Sequence, residues 1–335
     1  MNNFMFVCCL ILCGVGMMSF FASTGCSPKM DPMAKEQPYE HVADFLELPN
    51  ATCTVTETTA SISNAEHTFV FNRNQSTVLV NQTLYYLHHP IVNDTIDTRD
   101  LELLRDAIVR PFEQKHRLMV MLDAGHGGKD PGCQKETLQE KKIALEVVLE
   151  IKRLLEKKGH VICLTRDGDS YLTLNERCEK AAEKPVDAFV SVHVNASPNA
   201  TAEGVEVFVV PDKEALSLNG TSLPEGPSIS QYYLKTSTRL AFAVQQQLLA
   251  LKEKPKDRGV RHAYFRVIRD TPAPAILAEI GFITNDKERA QLATPLYRQS
   301  IAKAIADGIE NALVVNFEAE AATTDSKTQT KGTTK

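Results

Sequence analysis

The sequence lacks several features that would settle its class at once. It has no basic excess: 37 Lys and Arg stand against 42 Asp and Glu, a formal net charge of −5. No polyanion is implied, and no nucleic-acid partner is expected. No cysteines are spaced C-x-x-C, which argues against a cysteine zinc site. There is no internal repeat, so no tandem binding array is expected. The glycine-rich turn at 125–128 lacks both G-x-G-x-x-G and a G-K-[ST] ending, the patterns that cradle phosphate. Charge is also missing at the start: residues 4 to 22 are nearly all apolar, and the first charge is Lys29.

That start reads as an export signal over residues 1–26. Ser23, Thr24 and Gly25 precede Cys26, and small residues before a cysteine resemble a bacterial lipobox, whose cysteine is lipidated after cleavage. Two departures stand beside this: no Lys or Arg precedes the apolar core, and Ser23 replaces the usual Leu. A simply cleaved signal and an uncleaved anchor therefore stay open, the apolar run being near the minimum for a span. All three put the body in the periplasm or cell envelope, with membrane attachment through Cys26 the leading expectation. Of eight cysteines, Cys53, Cys133, Cys163 and Cys178 lie beyond the leader. They could form a disulfide in an oxidising compartment, but no pairing can be read.

Residues 27–40, with Pro28, Pro32 and Pro38, read as a linker. Residues 41–115 read as a small strand-rich module. Its strands are expected at Thr68–Phe71, Ser76–Val80 and Thr83–Leu87, with a helix over Asp100–Arg110. The module is expected to pack on the main domain; binding of glycan or an envelope partner is the alternative. From 117 to 316 strands and helices alternate. Strands are expected at Leu118–Leu122, Val161–Leu164, Ala188–Val194, Gly204–Val210, Ala263–Ile268 and Ala275–Ile280. Helices are expected at Leu138–Lys158, Leu172–Glu183, Gln231–Lys252 and Leu296–Val314. This is an α/β pattern: a sheet covered by helices on both faces. Residues 317–335, rich in Thr and Lys, read as a disordered tail.

Four side chains carry candidate chemistry. His126 follows the first strand, in the turn Gly125-His126-Gly127-Gly128. His193 ends an apolar strand, and Glu279 lies near the end of another. Glu140 opens the long helix, on the stripe 140/143/147 that faces the sheet. Open α/β sheets build sites beyond the carboxyl ends of their strands, where three of the four belong. Two imidazoles and a carboxylate make a His₂Glu zinc set with one position open for water. A further carboxylate can take that water's proton and pass it to a leaving nitrogen. Each residue also has a plain reading. His126 could be a loop residue, His193 a satisfied core histidine, and Glu140 a charge favoured by the helix dipole. Glu279 is harder to explain that way, because an unpaired carboxylate in an apolar strand is costly.

The stretches 122–132 (LDAGHGGKDPG), 191–196 (SVHVNA) and 278–285 (AEIGFITN) resemble the signature blocks of the zinc-dependent N-acetylmuramoyl-L-alanine amidases. So do Glu140, Arg166 and Asp167 with Leu174 and Arg177, and Arg258-Gly259-Val260. The match runs in order from about 117 to 315. The resemblance implies a six-stranded, mostly parallel or mixed sheet flanked by helices. It implies one Zn²⁺ held by His126, Glu140 and His193, with Glu279 as the catalytic carboxylate. Gly127, Gly128, Asn195 and Arg258, which fall in the matched stretches, are the expected substrate-binding residues. The implied reaction is hydrolysis of the amide between N-acetylmuramic acid and L-alanine in peptidoglycan, in wall remodelling and division. Some members carry a long insertion whose helix plugs the zinc site until a protein activator removes it. The matching gap here, Pro211 to about Ser230, is short, and no plug is expected. An envelope activator stays among the expected partners.

Rival readings are a zinc peptidase or carboxypeptidase cutting within the stem peptide, and a non-catalytic peptidoglycan-binding protein. Ser300 and Lys303 have S-x-x-K spacing, and Lys235-Thr236-Ser237 faintly echoes K-T-G. Their order and their place in an amphipathic helix argue against a serine carboxypeptidase. His88-His89, beside Pro90 at a strand end, is read as structural rather than as a second metal site.

Overall fold

In chain order the elements begin with β1 (Glu36–Pro38), α1 (Tyr39–Phe45), β2 (Thr52–Val55), β3 (Thr59–Ser63), β4 (Thr68–Asn72), β5 (Thr77–Val80) and β6 (Thr83–Tyr86). Next come β7 (Thr95–Asp97), α2 (Thr98–Leu104), β8 (Met119–Ala124), β9 (Gln134–Lys135), β10 (Leu138–Gln139), α3 (Glu140–Lys157) and β11 (Val161–Leu164). They are followed by α4 (Leu174–Ala182), β12 (Ala188–Asn195), β13 (Val205–Val209), α5 (Leu234–Leu249) and β14 (Asp257–His262). The chain closes with α6 (Arg266–Arg269), β15 (Ala275–Phe282), α7 (Asp286–Leu292) and α8 (Pro295–Leu313). This computed structural model describes residues 36–73, 75–109, 117–212 and 229–314. The leader with Cys26, most of the gap after Pro211 and the tail 317–335 lie outside the described residues. No described helix is long and apolar enough to cross a membrane.

Eleven strands form one sheet in the order β11-β8-β12-β15-β13-β14-β6-β5-β4-β3-β2. The first six, from residues 119–282, are the strands of the α/β domain. β11, β8, β12 and β15 run parallel, as apolar runs buried on both faces should. β13 is antiparallel to β15 and parallel to β14, so the sheet is mixed. The other five strands come from the N-terminal region. β6 joins β14 in parallel, with Val260 opposite Tyr85, and β6 to β2 then run as an antiparallel meander. The N-terminal strands therefore prolong the same sheet.

The core follows the pleat. One face packs against α3, α5 and α8 through Val120, Leu122, Val147, Ile151, Val190, Val192, Leu240, Val244, Ile276, Ile301 and Ile305. That core continues without a break into the N-terminal strands. Fully buried Tyr85 stacks on Phe242 of α5, with ring centroids 5.2 Å apart. The opposite face carries a second cluster of Met121, Phe189, Phe208, Leu277, Val267 and Ile268, beneath α4 and α6.

Three expectations are corrected. The strand placed at Ala263–Ile268 is instead β14 at Asp257–His262, followed by the short helix α6. The apolar residues 263, 264, 267 and 268 are buried, but from a turn and a helix, while the true strand is half charged. The linker ends before residue 36: β1 pairs with β7, Gln37 is buried, and Pro38 is the N-cap of α1 rather than a spacer. β2 and β3 were not expected, because their Thr- and Ser-rich residues carry little apolar signal. Cys53, Cys133, Cys163 and Cys178 are all free thiols.

Candidate active site

The sequence Leu122-Asp123-Ala124-Gly125-His126 carries β8 out of the sheet into a loop that must reverse sharply. His126 adopts φ +58°, a left-handed conformation that a non-glycine residue holds only when its surroundings impose it. Two buried arginines impose it here. Arg166 donates from Nε to the Ala124 carbonyl (2.8 Å) and from Nη2 to that of Gly125 (2.7 Å). Arg177 donates to the carbonyls of Ala124 (2.7 Å) and His126 (2.6 Å). Arg177 also pairs with fully buried Asp123 at 2.6 Å, and Asp123 accepts from Thr165 and Ser191. Burial alone would raise the Asp123 carboxyl; Arg177 and the two hydroxyls outweigh it and hold it below its ordinary range.

On this loop three ligand atoms from distant segments converge. One atom each of His126, Glu140 and His193 lie within 4.8 Å of one another. Glu140 Oε2 is 3.1 Å from His126 Nε2, and Oε1 is 2.9 Å from His193 Nδ1. The carboxylate is oriented by backbone N–H donors of Cys133 (2.8 Å) and Val194 (3.0 Å). The far nitrogen of His126, Nδ1, contacts Asp130 Oδ2 at 2.7 Å. A carboxylate behind a ligating histidine fixes its tautomer and raises its basicity, and Asp130 lies in the motif 122–132 although the motif alone gives it no role. Burial opposes the charge on Glu140, but the two imidazoles prevail and hold it far below the usual carboxylate range. Burial likewise opposes charge on His126, and Glu140 and Asp130 reverse that and raise it. This donor set, two imidazoles and a carboxylate oriented by backbone N–H groups, fits zinc.

Two glycines make room for it. A Cβ on Gly125 would sit 2.4 Å from the His193 ring. One on Gly132, at φ +64°, would meet Glu140 Oε2 at 2.5 Å.

The triad opens on a cleft of about 720 Å³ lined by Tyr171, Leu174, Phe265, Val267, Asn195 and Glu279. Glu279 is the cross-strand partner of His193, and its Oε2 is buried with no hydrogen-bond partner. Burial first, then the charges of Glu140 and Glu206, push its carboxyl well above the ordinary value. Raised proton affinity makes the ionised carboxylate a stronger base, which suits it to take up and return a proton.

The structure divides the expected substrate-binding residues. Asn195 lines the cleft; Gly127, Gly128 and Arg258 do not. Gly127 and Gly128 let the 166–171 loop pack closely, since a Cβ at either would lie within 2.1–2.7 Å of the Ser170 or Tyr171 backbone. Arg258 lies 3.1 Å from Glu206, which also accepts from Asn195 at 2.6 Å and from Arg261 at 2.7 Å. Sequence reading passed over Glu206, although a carboxylate inside the apolar strand 205–209 was a legible signal. The residues of the rival readings sit elsewhere. Ser300 bonds the Leu296 carbonyl on an exposed helix face, and Lys303 pairs with Asp307. His88 and His89 are buried on Tyr85 and Asp100, and neither joins a metal-ligand cluster among the described residues.

Residues 120–311, more than half of the chain, match the N-acetylmuramoyl-L-alanine amidase family. The chain belongs to this family. Among relatives, the uncharacterized protein YqiI of Bacillus subtilis is 36% identical over 201 residues, covering 60% of this chain and 86% of that one. Among solved amidases, AmiC2 of Nostoc punctiforme shares 32% identity at TM-score 0.50, covering 59% of this chain and 97% of that one. CwlD of Clostridioides difficile, solved in complex with the GerS lipoprotein, shares 28% identity at TM-score 0.51, covering 58% and 98%. The amidase family thus accounts for β8 to α8, and leaves β1 to α2 outside the match.

Proposed function

We propose that this amidase binds one zinc ion through His126, Glu140 and His193 and hydrolyses the amide between N-acetylmuramic acid and L-alanine of peptidoglycan. The reading is carried by one observation: two imidazoles and a carboxylate meet in a cleft, beside the half-buried Glu279, whose Oε2 is buried without a partner. Zinc bound there would polarise the amide carbonyl and acidify a water. Glu279, in its ionised form, would accept a proton from the attacking water and hand it to the departing nitrogen. Asp130 and the Cys133 and Val194 N–H groups keep the ligand atoms aimed, and the Tyr171, Leu174 and Phe265 wall covers the substrate's apolar surface. The chain works in the cell envelope on its peptidoglycan, in wall remodelling and division, exported by residues 1–26 and held to the membrane through Cys26.

Digestion of purified peptidoglycan, with product masses read with and without chelator, tests this. The expected products are free stem peptides beginning at L-alanine, lost on chelation and restored by zinc. Shortened stems still attached to sugar would mean a peptidase instead. The gap after Pro211 is short, so the purified enzyme is expected to be active alone. The pairing of CwlD with a lipoprotein supports looking for an envelope partner. Many-fold stimulation by such a partner would overturn the view that the site is open.

A further inference from the structure

Five adjacent strands, β12-β15-β13-β14-β6, present a continuous row of polar side chains on one face. His193 is the cross-strand partner of Glu279, and Glu279 of Glu206. Arg261 is opposite Phe208, two residues from Glu206 and so on the same face. Val260 faces Tyr85 on the core side, which turns Arg261 and Tyr86 to the site side. The contacts follow this order. Glu206, 2% exposed, accepts from Asn195 and from Arg261 Nη1. The Arg261 guanidinium lies 4.9 Å from the Tyr86 ring centroid. Tyr86 belongs to β6, outside the 120–311 match to the family.

We propose that Tyr86 is a positioning residue of the amidase site, acting through Arg261 and Glu206 on Glu279 and Asn195. This rests on the reading of Glu279 as the proton carrier. A guanidinium has many rotamers, and two fixed neighbours select one: the ring beneath its plane and the carboxylate at its end. Without the ring, Arg261 is free to swing from Glu206. Glu206 would keep Arg258 at 3.1 Å and Asn195, and a buried carboxylate that loses one of its partners shifts toward those that remain. Its neighbours are the strand partner Glu279 and Asn195, both lining the cleft. The N-terminal strands would then be part of the working enzyme rather than a packed appendage.

The test uses the full zinc-loaded chain and measures kcat and KM on a soluble muropeptide, zinc content and melting temperature. Tyr86→Ala is expected to lower kcat about 10- to 100-fold, the scale of a small misplacement of reacting groups. KM should change little and one zinc should stay bound. Tyr86→Phe keeps the ring and should restore kcat. Arg261→Lys keeps the charge but not the plane, and should behave like Tyr86→Ala. The double variant should be no slower than either single, because both break one linkage. Wild-type kcat in Tyr86→Ala would overturn the proposal. So would an equal loss in Tyr86→Phe, multiplying losses in the double variant, or a loss that follows zinc release or unfolding. Glu279→Gln is assayed in parallel: if it remains active, the proton-carrier reading fails; if only Tyr86→Ala is active, this proposal alone fails.

Discussion

Glu279→Gln is expected to lower kcat by two to four orders of magnitude, about the contribution of a positioned general acid–base group, while one zinc per chain stays bound. The side chain keeps its shape and its place opposite His193 but can no longer take up a proton. Because Glu279 is not one of the converging ligand atoms, metal content should not move. A second readout separates catalysis from folding. In the metal-free protein Glu279 holds its proton well above the ordinary carboxylate value, chiefly because it is buried. The unfolded chain releases that proton near pH 4–5, so rising pH favours unfolding until the folded group also ionises. Glutamine removes this penalty. Chelated Glu279→Gln should therefore melt above chelated wild type at pH 7, and the difference should vanish below about pH 4. Full activity in the variant would end the assignment of roles.

His193→Ala is expected to abolish both zinc binding and turnover, and His126→Ala to do the same. Each would delete one of the three ligands of the proposed zinc site, and Glu140 would be left facing a single imidazole. The loss can be read without any activity assay. A ligand that binds only the folded state at 100 times its dissociation constant stabilises by about 2.7 kcal/mol. Wild type should thus melt higher with zinc than with chelator, and the two variants should melt alike in both. Asp130→Asn should fall between, weakening zinc about 10- to 100-fold through loss of the charge behind His126 Nδ1. Retention of zinc at wild-type affinity in His193→Ala would mean that the ligands lie elsewhere.

The chemistry of the site was legible because it is written in local patterns. His126 stands in a glycine turn after an apolar run, and His193 and Glu279 are polar residues in strands that otherwise have no use for them. Asp130 was not legible as a partner of His126: an acid four residues on in a loop is ordinary until the backbone turns left-handed and brings it to 2.7 Å. The pairing of Arg258 with Glu206 was not legible either, because strand register and not sequence distance decides which charges meet. β14 was misplaced for a related reason: the largely apolar stretch 263–268 looked like a strand, while the true strand, 257–262, is half charged and carries Arg261 in the polar row.

By itself the sequence determined the α/β class and the alternation of strands and helices from 117 onward, which rest on periodicity, and it carried the family's motifs around His126, Glu140, His193 and Glu279 as local patterns. Only the tertiary structure decided that the N-terminal strands prolong the catalytic sheet, and that Tyr86, Arg261, Glu206, Glu279 and His193 stand in one row. Pairing between strands as far apart in the chain as β6 and β14 is chosen by shared burial, as of Tyr85 against Phe242, and by backbone hydrogen bonding. Neither leaves a trace in the order of the residues.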